Sequence, residues 1–151
     1  MNLNALPVNK QKQLLNLLFS PSGIQISALK TTMLGNDFST ATHGKWSTYD
    51  DTPGDIQLKK FSISRDLAVN GSLTLLKRVI QSGFDGVIQS YMDFPPDWML
   101  VDRNTNKPVQ PELYDTLALY MAKYIQEYAS HGVRIDFFEY APTPLATLIF
   151  F

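Results

Sequence analysis

Apolar positions recur along the chain with two different periods, and the period changes where glycine, proline or asparagine interrupts it. From Lys10 to Phe19 the leucines Leu14, Leu15, Leu17 and Leu18 stand among polar residues with helical spacing, and Ser20, Pro21 and Gly23 end the run. Ile24, Ile26 and Leu29 alternate, or nearly alternate, with polar neighbours and predict a first strand. The stretch from Thr31 through Gly54 has little periodicity; a loop of that length in a compact domain is a binding loop or a disordered one, and its aromatics and acids favour binding. Behind Ser72, a candidate N-cap, Leu73, Leu76, Val79 and Ile80 fall three and four residues apart, and Gly83 stands where a C-terminal cap belongs. Val87 and Ile88 predict the second strand. Pro111 and Glu112 open the clearest helix, with Leu113, Leu117, Tyr120, Met121, Tyr124, Ile125 and Tyr128 on one stripe that stops near Gly132. Val133, Ile135 and Phe137 alternate behind it as a third strand.

A helix between each pair of strands makes the strands parallel in one sheet, so the fold class is α/β. In such sheets ligands sit beyond the carboxyl ends of the strands. The loops to watch are therefore Thr31 to Gly54, Tyr91 to Pro108, and whatever follows Phe138. Residues 90–100 read SYMDFPPDWML. Neither Pro95 nor Pro96 can donate to a sheet ladder, so they stop the second strand and stiffen a loop that displays Asp93, Asp97 and Trp98 at its mouth.

Composition narrows the partners. The 151 residues are 44% hydrophobic and 18% charged with both signs mixed, which is one globular domain's worth of chain. A net charge of -1 gives no electrostatic reason to expect nucleic acid or an acidic membrane surface, whereas small neutral substrates are easily accommodated. Without cysteine there is no disulfide framework and no thiolate metal site. The N-terminus MNLNALPVNKQKQ lacks the basic start and apolar core of a signal peptide, and no segment reaches the ~20 apolar residues of a membrane span. The sequon Asn70-Gly71-Ser72 points the other way, toward a secretory history, and the compartment stays open.

Candidate chemistry is sparse. Asp37 in GNDFST follows a strand, where a carboxylate can accept from sugar hydroxyls or another polar ligand, although a turn aspartate bonding its own backbone is the commoner case. Asp50 and Asp51 have no His or further carboxylate at ligand spacing, so no metal or other cofactor is expected. His43 and His131 are isolated, the latter at a helix end that suits a cation. Tyr120, Tyr124 and Tyr128 have the spacing of core packing. Trp98 either walls a ligand pocket or packs against the rim. Apart from Asp136, Glu139 is the only carboxylate near the end of the third strand, and a single carboxylate does not make a glycosidase. No Gly-rich phosphate loop, serine elbow or metal cluster is present.

The runs LLFSPSGIQISALKTTMLGNDFST, WSTYDDTPGD, LKKFSISRD, FPPDWM and YMAKYIQEYASHGVRI, in that order and spacing from about Lys12 to Ile135, resemble glycoside hydrolase family 30, the glucosylceramidase family. The resemblance implies a retaining β-glycosidase on a (β/α)₈ barrel, acting on glycosylceramides or other β-glycosides. A glutamate acid/base at the end of the fourth strand and a glutamate nucleophile on the seventh are implied, a pair that stands ~5 to 5.5 Å apart in retaining enzymes. Members are often secreted or lysosomal. By position Asp37 matches a glycone-binding aspartate. Lys30 stands seven residues earlier, where the family usually has an arginine; the exchange keeps the charge and loses the planar fork. Asp93 falls where the family mostly has a tryptophan, which implies a more polar glycone pocket.

After Gly132-Val133-Arg134-Ile135-Asp136 the family continues to Asn-Glu-Pro, which carries the acid/base, but this chain reads FFEYAPTPLATLIFF. Glu139 with Pro142 does not have that spacing, so the acid/base role does not transfer to it. The seventh strand and the family's first strand are also missing. Residues 1–151 are thus expected to form one partial domain, roughly the second to fourth strand units of a barrel, with 139–151 as a divergent tail. A partial gene model, or an altered reading just past Phe138, would account for it. Three parallel strands cannot close a barrel of ~200 residues or more, so two edges would lie open and the isolated chain is expected to aggregate. The implied substrate-binding residues are Lys30, Asp37, Asp93 and Trp98. The alternative is a non-catalytic half barrel that binds carbohydrate or a partner.

Overall fold

The computed structural model describes residues 3–34, 48–101, 108–140 and 147–149. Helix α1 (Val8–Phe19) buries Gln11, Leu15 and Phe19, one residue per turn along a single stripe. Strand β1 (Ala28–Thr32), α2 (Ser72–Gln81), β2 (Val87–Met92), α3 (Tyr114–Ser130), β3 (Phe137–Tyr140) and β4 (Thr147–Ile149) follow. The first three strands lie side by side in chain order and run parallel, so the α/β expectation holds. Strand β4 was not foreseen. It pairs antiparallel with β3, Phe138 opposite Ile149 and Tyr140 opposite Thr147, and takes the β3 edge that three parallel strands would leave open.

Two strands begin later than their apolar alternation predicts. Ile24 is exposed and turned rather than extended, because Gly23 N–H bonds Ser20 O, Ile24 N–H bonds Leu17 O and Ile26 N–H bonds Leu18 O. These bonds wrap the segment around the end of α1, and pairing waits until Ala28. Val133 and Ile135 are buried, yet β3 starts at Phe137, after Asp136 has bridged to β2 through its N–H to Ile88 O and its Oδ2 from Ile88 N–H, each at 2.8 Å. Ser72 is likewise not a cap. Gly71 holds the N-cap position of α2, and the carbonyl of Asp66 accepts Thr74 N–H at 3.2 Å, so a main-chain oxygen does the work of a capping side chain. Gly83 ends α2 at φ +99, as its placement predicts.

Register sorts the side chains. Leu29 pairs with Ile88, Thr31 with Ser90, and Ser90 with Phe138, a row that faces the helices. Ile88, Ser90, Met92 and Phe138 are buried there together with Met33. Lys30 pairs with Gln89, Thr32 with Tyr91 and Tyr91 with Glu139 on the opposite face, where no element among the described residues packs and Val87 and Phe137 remain 40% exposed. The sheet therefore has one covered face and one open face.

The tyrosine stripe of α3 is core, as its spacing predicts, with a polar thread running through it. Tyr120, Tyr124 and Tyr128 are wholly buried. Tyr128 donates to Asp66 Oδ2 at 2.7 Å, Tyr49 donates to the same oxygen, and Tyr124 shares a 2.8 Å hydrogen bond with Ser90 on β2. Tyr120 OH accepts Tyr49 N–H at 2.9 Å. Burial, more than any neighbouring charge, pushes all four phenols above the ordinary tyrosine range, which keeps them neutral donors. The result ties the 48–66 segment to α3 and to the back of β2.

Candidate functional site

Polar side chains converge on the open face toward the carboxyl ends of the strands. Lys30 from β1 and Gln89 from β2 share one row, and both reach up to Glu139 of β3 in the next. Lys30 Nζ lies 3.1 Å and Gln89 Nε2 3.0 Å from the same oxygen, Glu139 Oε2. Lys30 Nζ also sits 4.5 Å from the ring centre of Tyr91, a cation held over an aromatic face. The Glu139 side chain is only 16% exposed against 52% for Lys30, so the carboxylate is the sheltered partner and the ammonium the wet one. A fixed carboxylate, a cation and an aromatic ring on one face of the sheet can bind a polyol by accepting from one hydroxyl, donating to another and covering a ring face.

The loop after β2 is built differently from the display of side chains expected of it. Pro95 and Pro96 are buried, and Asp97–Met99 form a short 3-10 turn. Asp93 is half-buried just past the end of β2. Trp98 is buried, and its indole N–H donates to the carbonyl of Asp50 at 3.0 Å. Gln110 closes the loop's other side, its amide donating to the carbonyls of Trp98 and Leu100. Asp51 accepts from Thr48 and pairs with Arg65 at 3.2 Å, while Asp50 Oδ1 accepts Thr52 N–H at 3.0 Å. Among the described residues no three acids or histidines come together as metal ligands. Asp37 and His43 lie outside the described residues. His131 bonds Glu127 O and Ser130 at the end of α3, the structural role its position suggests. Replacing Trp98 with phenylalanine keeps the ring and orphans the Asp50 carbonyl; urea unfolding should show a loss of about 1–2 kcal/mol.

Residues 1–144 match the glycosyl hydrolase family 30 TIM-barrel domain. The chain belongs to glycosyl hydrolase family 30. Among relatives of this family member, the endo-1,6-beta-D-glucanase of Neurospora crassa is 28% identical over 88% of the chain, and the lysosomal acid glucosylceramidase of Mus musculus is 29% identical over 89%. The chain spans 28% and 26% of their respective lengths. In three dimensions it is similar to SrfJ from Salmonella typhimurium, with a TM-score of 0.77 at 22% identity over 89% of this chain and 29% of that one. The parallel α/β sheet is thus that of a family 30 TIM-barrel domain. No described helix is long and apolar enough to cross a membrane.

Two members of this open-face cluster escape a reading of the sequence. Gln89 and Tyr91 sit inside a strand whose apolar start, Val87-Ile88, predicts burial on both faces. Their alternation with Ile88, Ser90 and Met92 is the available signal, since a polar and an aromatic residue at odd positions mark the face that is not core. Lys30 and Glu139 are each visible as candidates, 109 positions apart, but only the β1-β2-β3 register brings them together.

Proposed function

We propose that the chain forms the second to fourth strand units of a retaining β-glycosidase barrel and supplies one wall of its glycone site. The observation that carries this reading is the convergence of Lys30, Gln89, Tyr91 and Glu139 on the open face of a family 30 sheet, at the strand ends where such barrels bind substrate. Lys30 and Glu139 hold the sugar's hydroxyls, Asp37 completes the wall by its match to the family's glycone aspartate, and Asp93 and Trp98 belong to the rim. Substrates are glycosides or glycolipids, as the glucanase and glucosylceramidase relatives suggest. Double displacement needs two carboxyl groups facing each other, and Glu139 is the only acid on the open side of β1, β2 and β3. The chain alone therefore binds without turning over.

A second reading, a non-catalytic half barrel that binds carbohydrate or a protein partner, draws on the same Glu139. Its Oε2 is already occupied by Lys30 and Gln89, as suits a binding carboxylate rather than a free acid. Assay of the purified chain with fluorogenic β-glucoside and β-xyloside, alongside methyl β-glucoside binding by NMR, separates the possibilities. Weak binding lost in Lys30→Met and Glu139→Gln, with no release of fluorophore, is the expected result. Turnover abolished by Glu139→Gln would make the chain an enzyme in its own right, and absence of any glycoside binding would remove the glycone wall.

A further inference from the structure

Among the described residues, one buried carboxyl oxygen has no donor. Asp50 is 1% exposed, its Oδ1 is satisfied by Thr52, and among the described residues its Oδ2 meets no N–H or O–H. An ionised, buried oxygen without a hydrogen bond is costly, and native structures resolve such cases with a proton, a water or an ion. The group facing it is another carboxyl, Asp55, whose Oδ2 accepts Lys60 N–H at 2.7 Å. Two carboxylates in contact repel. One carboxylic acid donating to one carboxylate satisfies both, and the proton belongs on Asp50, whose buried Oδ2 meets no other donor, whereas the less buried Asp55 accepts the N–H groups of both Lys59 and Lys60.

The surroundings leave that proton in place. Lys59 and Lys60 lie on the Asp55 side, and the Asp51 charge is taken by Arg65. From α3, Tyr120 faces Asp50 as a neutral phenol, Thr116 bonds Ile56 O, and Lys123 is committed to Leu58 O at 2.8 Å. From the loop after β2 the Trp98 indole reaches Asp50, at its carbonyl. Burial first, and then Asp55, push Asp50 above aspartate's ordinary 3.8. Desolvation works against Asp55, but the N–H groups of Lys60 and Lys59 and the bond from Asp50 hold it below that value.

We propose that Asp50 is a positioning residue whose carboxyl shares a single proton with Asp55, and that this proton sets how firmly Trp98 and the loop after β2 are held at the open end of the sheet. The Asp50 Oδ2–H bond donates to Asp55; losing that proton to solvent places two negative charges face to face and loosens the turn that carries the Trp98 anchor. The sign follows from the two directions. Asp50, raised, keeps its stabilising proton in acid and loses it as pH rises through its raised value, whereas Asp55 loses its negative charge only when pH falls through its lowered one. The clamp is thus closed in the acid window between them and opens toward neutral pH.

The test places the full chain in a Trp46→Phe background, which leaves Trp98 as the single tryptophan, and follows acrylamide quenching of its emission from about pH 4 to about pH 8. The parent should show a one-proton transition to severalfold greater quenching as pH rises. Asp50→Asn should be flat and protected throughout, because a carboxamide donates to Asp55 and does not titrate. Asp55→Asn, at a less buried position, should move the transition acidward by about one pH unit or more, since Asp50 then gains a donor for its charged form. A parent without a transition, or an Asp50→Asn variant that keeps it, overturns the proposal. So does a change in quenching on adding calcium chloride or EDTA, which would put a cation where the proton is assigned.

Discussion

Asp66→Ala is expected to lower the unfolding free energy by about 3–5 kcal/mol, read from urea denaturation of the chain at neutral pH. Asp66 is 3% exposed, and one of its oxygens accepts both the Tyr49 and the Tyr128 hydroxyl. Truncation leaves two buried phenols with no acceptor, and each unmet group costs about 1–3 kcal/mol. The damage spreads because Tyr49 stacks on Tyr124 with ring centres 5.6 Å apart, and Tyr124 in turn bonds Ser90 on β2. Asp66→Asn, which keeps one acceptor, should cost less. Burial raises Asp66 above 3.8 despite the tyrosine bonds, which lower it. Its contribution therefore fades as pH rises through that raised value, and the gap between wild type and Asp66→Asn should widen in acid. A loss below about 1 kcal/mol for Asp66→Ala would mean the phenols find other acceptors.

Gly86→Ala should be as severe for a different reason. A Cβ built on Gly86 would lie 2.1 Å from Ser27 O and 2.6 Å from Ser27 C, both backbone atoms. That carbonyl cannot withdraw freely, because it accepts Val87 N–H at 2.9 Å and so starts the pairing of β1 with β2. Loss of about 3 kcal/mol or more, or failure to give a cooperative transition, is expected from thermal unfolding followed by circular dichroism. The exposed neighbour Asp85→Ala should change stability by no more than about 0.5 kcal/mol. Equal effects at the two positions would show that the close approach is not what fixes residue 86.

Both predictions concern contacts that no spacing rule reveals, and this marks where the sequence stops being legible. Element order and sheet direction could be read because each depends on local period and on which elements intervene. Strand starts could not, since Ile24 and Val133 look like strand residues until the turn after α1 and the Asp136 bridge claim them. The family match is carried by short runs spread along the chain, so it too is legible. Of the site, Lys30 and Glu139 are visible as residue types, but their meeting depends on register. Trp98 after two prolines suits a pocket wall or a packed rim equally, and its bond to the Asp50 carbonyl, 48 positions away, is not visible in the sequence. The Asp66 tyrosine thread is hidden for the same reason: acid and phenols lie 62 positions apart in one bond and 17 in the other.

Strand β4 has a consequence for assembly. It is a three-residue flap folded back onto β3, in the seat where a following parallel stave would have to dock. Any neighbour joining the wall from that side must first evict the flap, and so short a pairing can be peeled away one rung at a time.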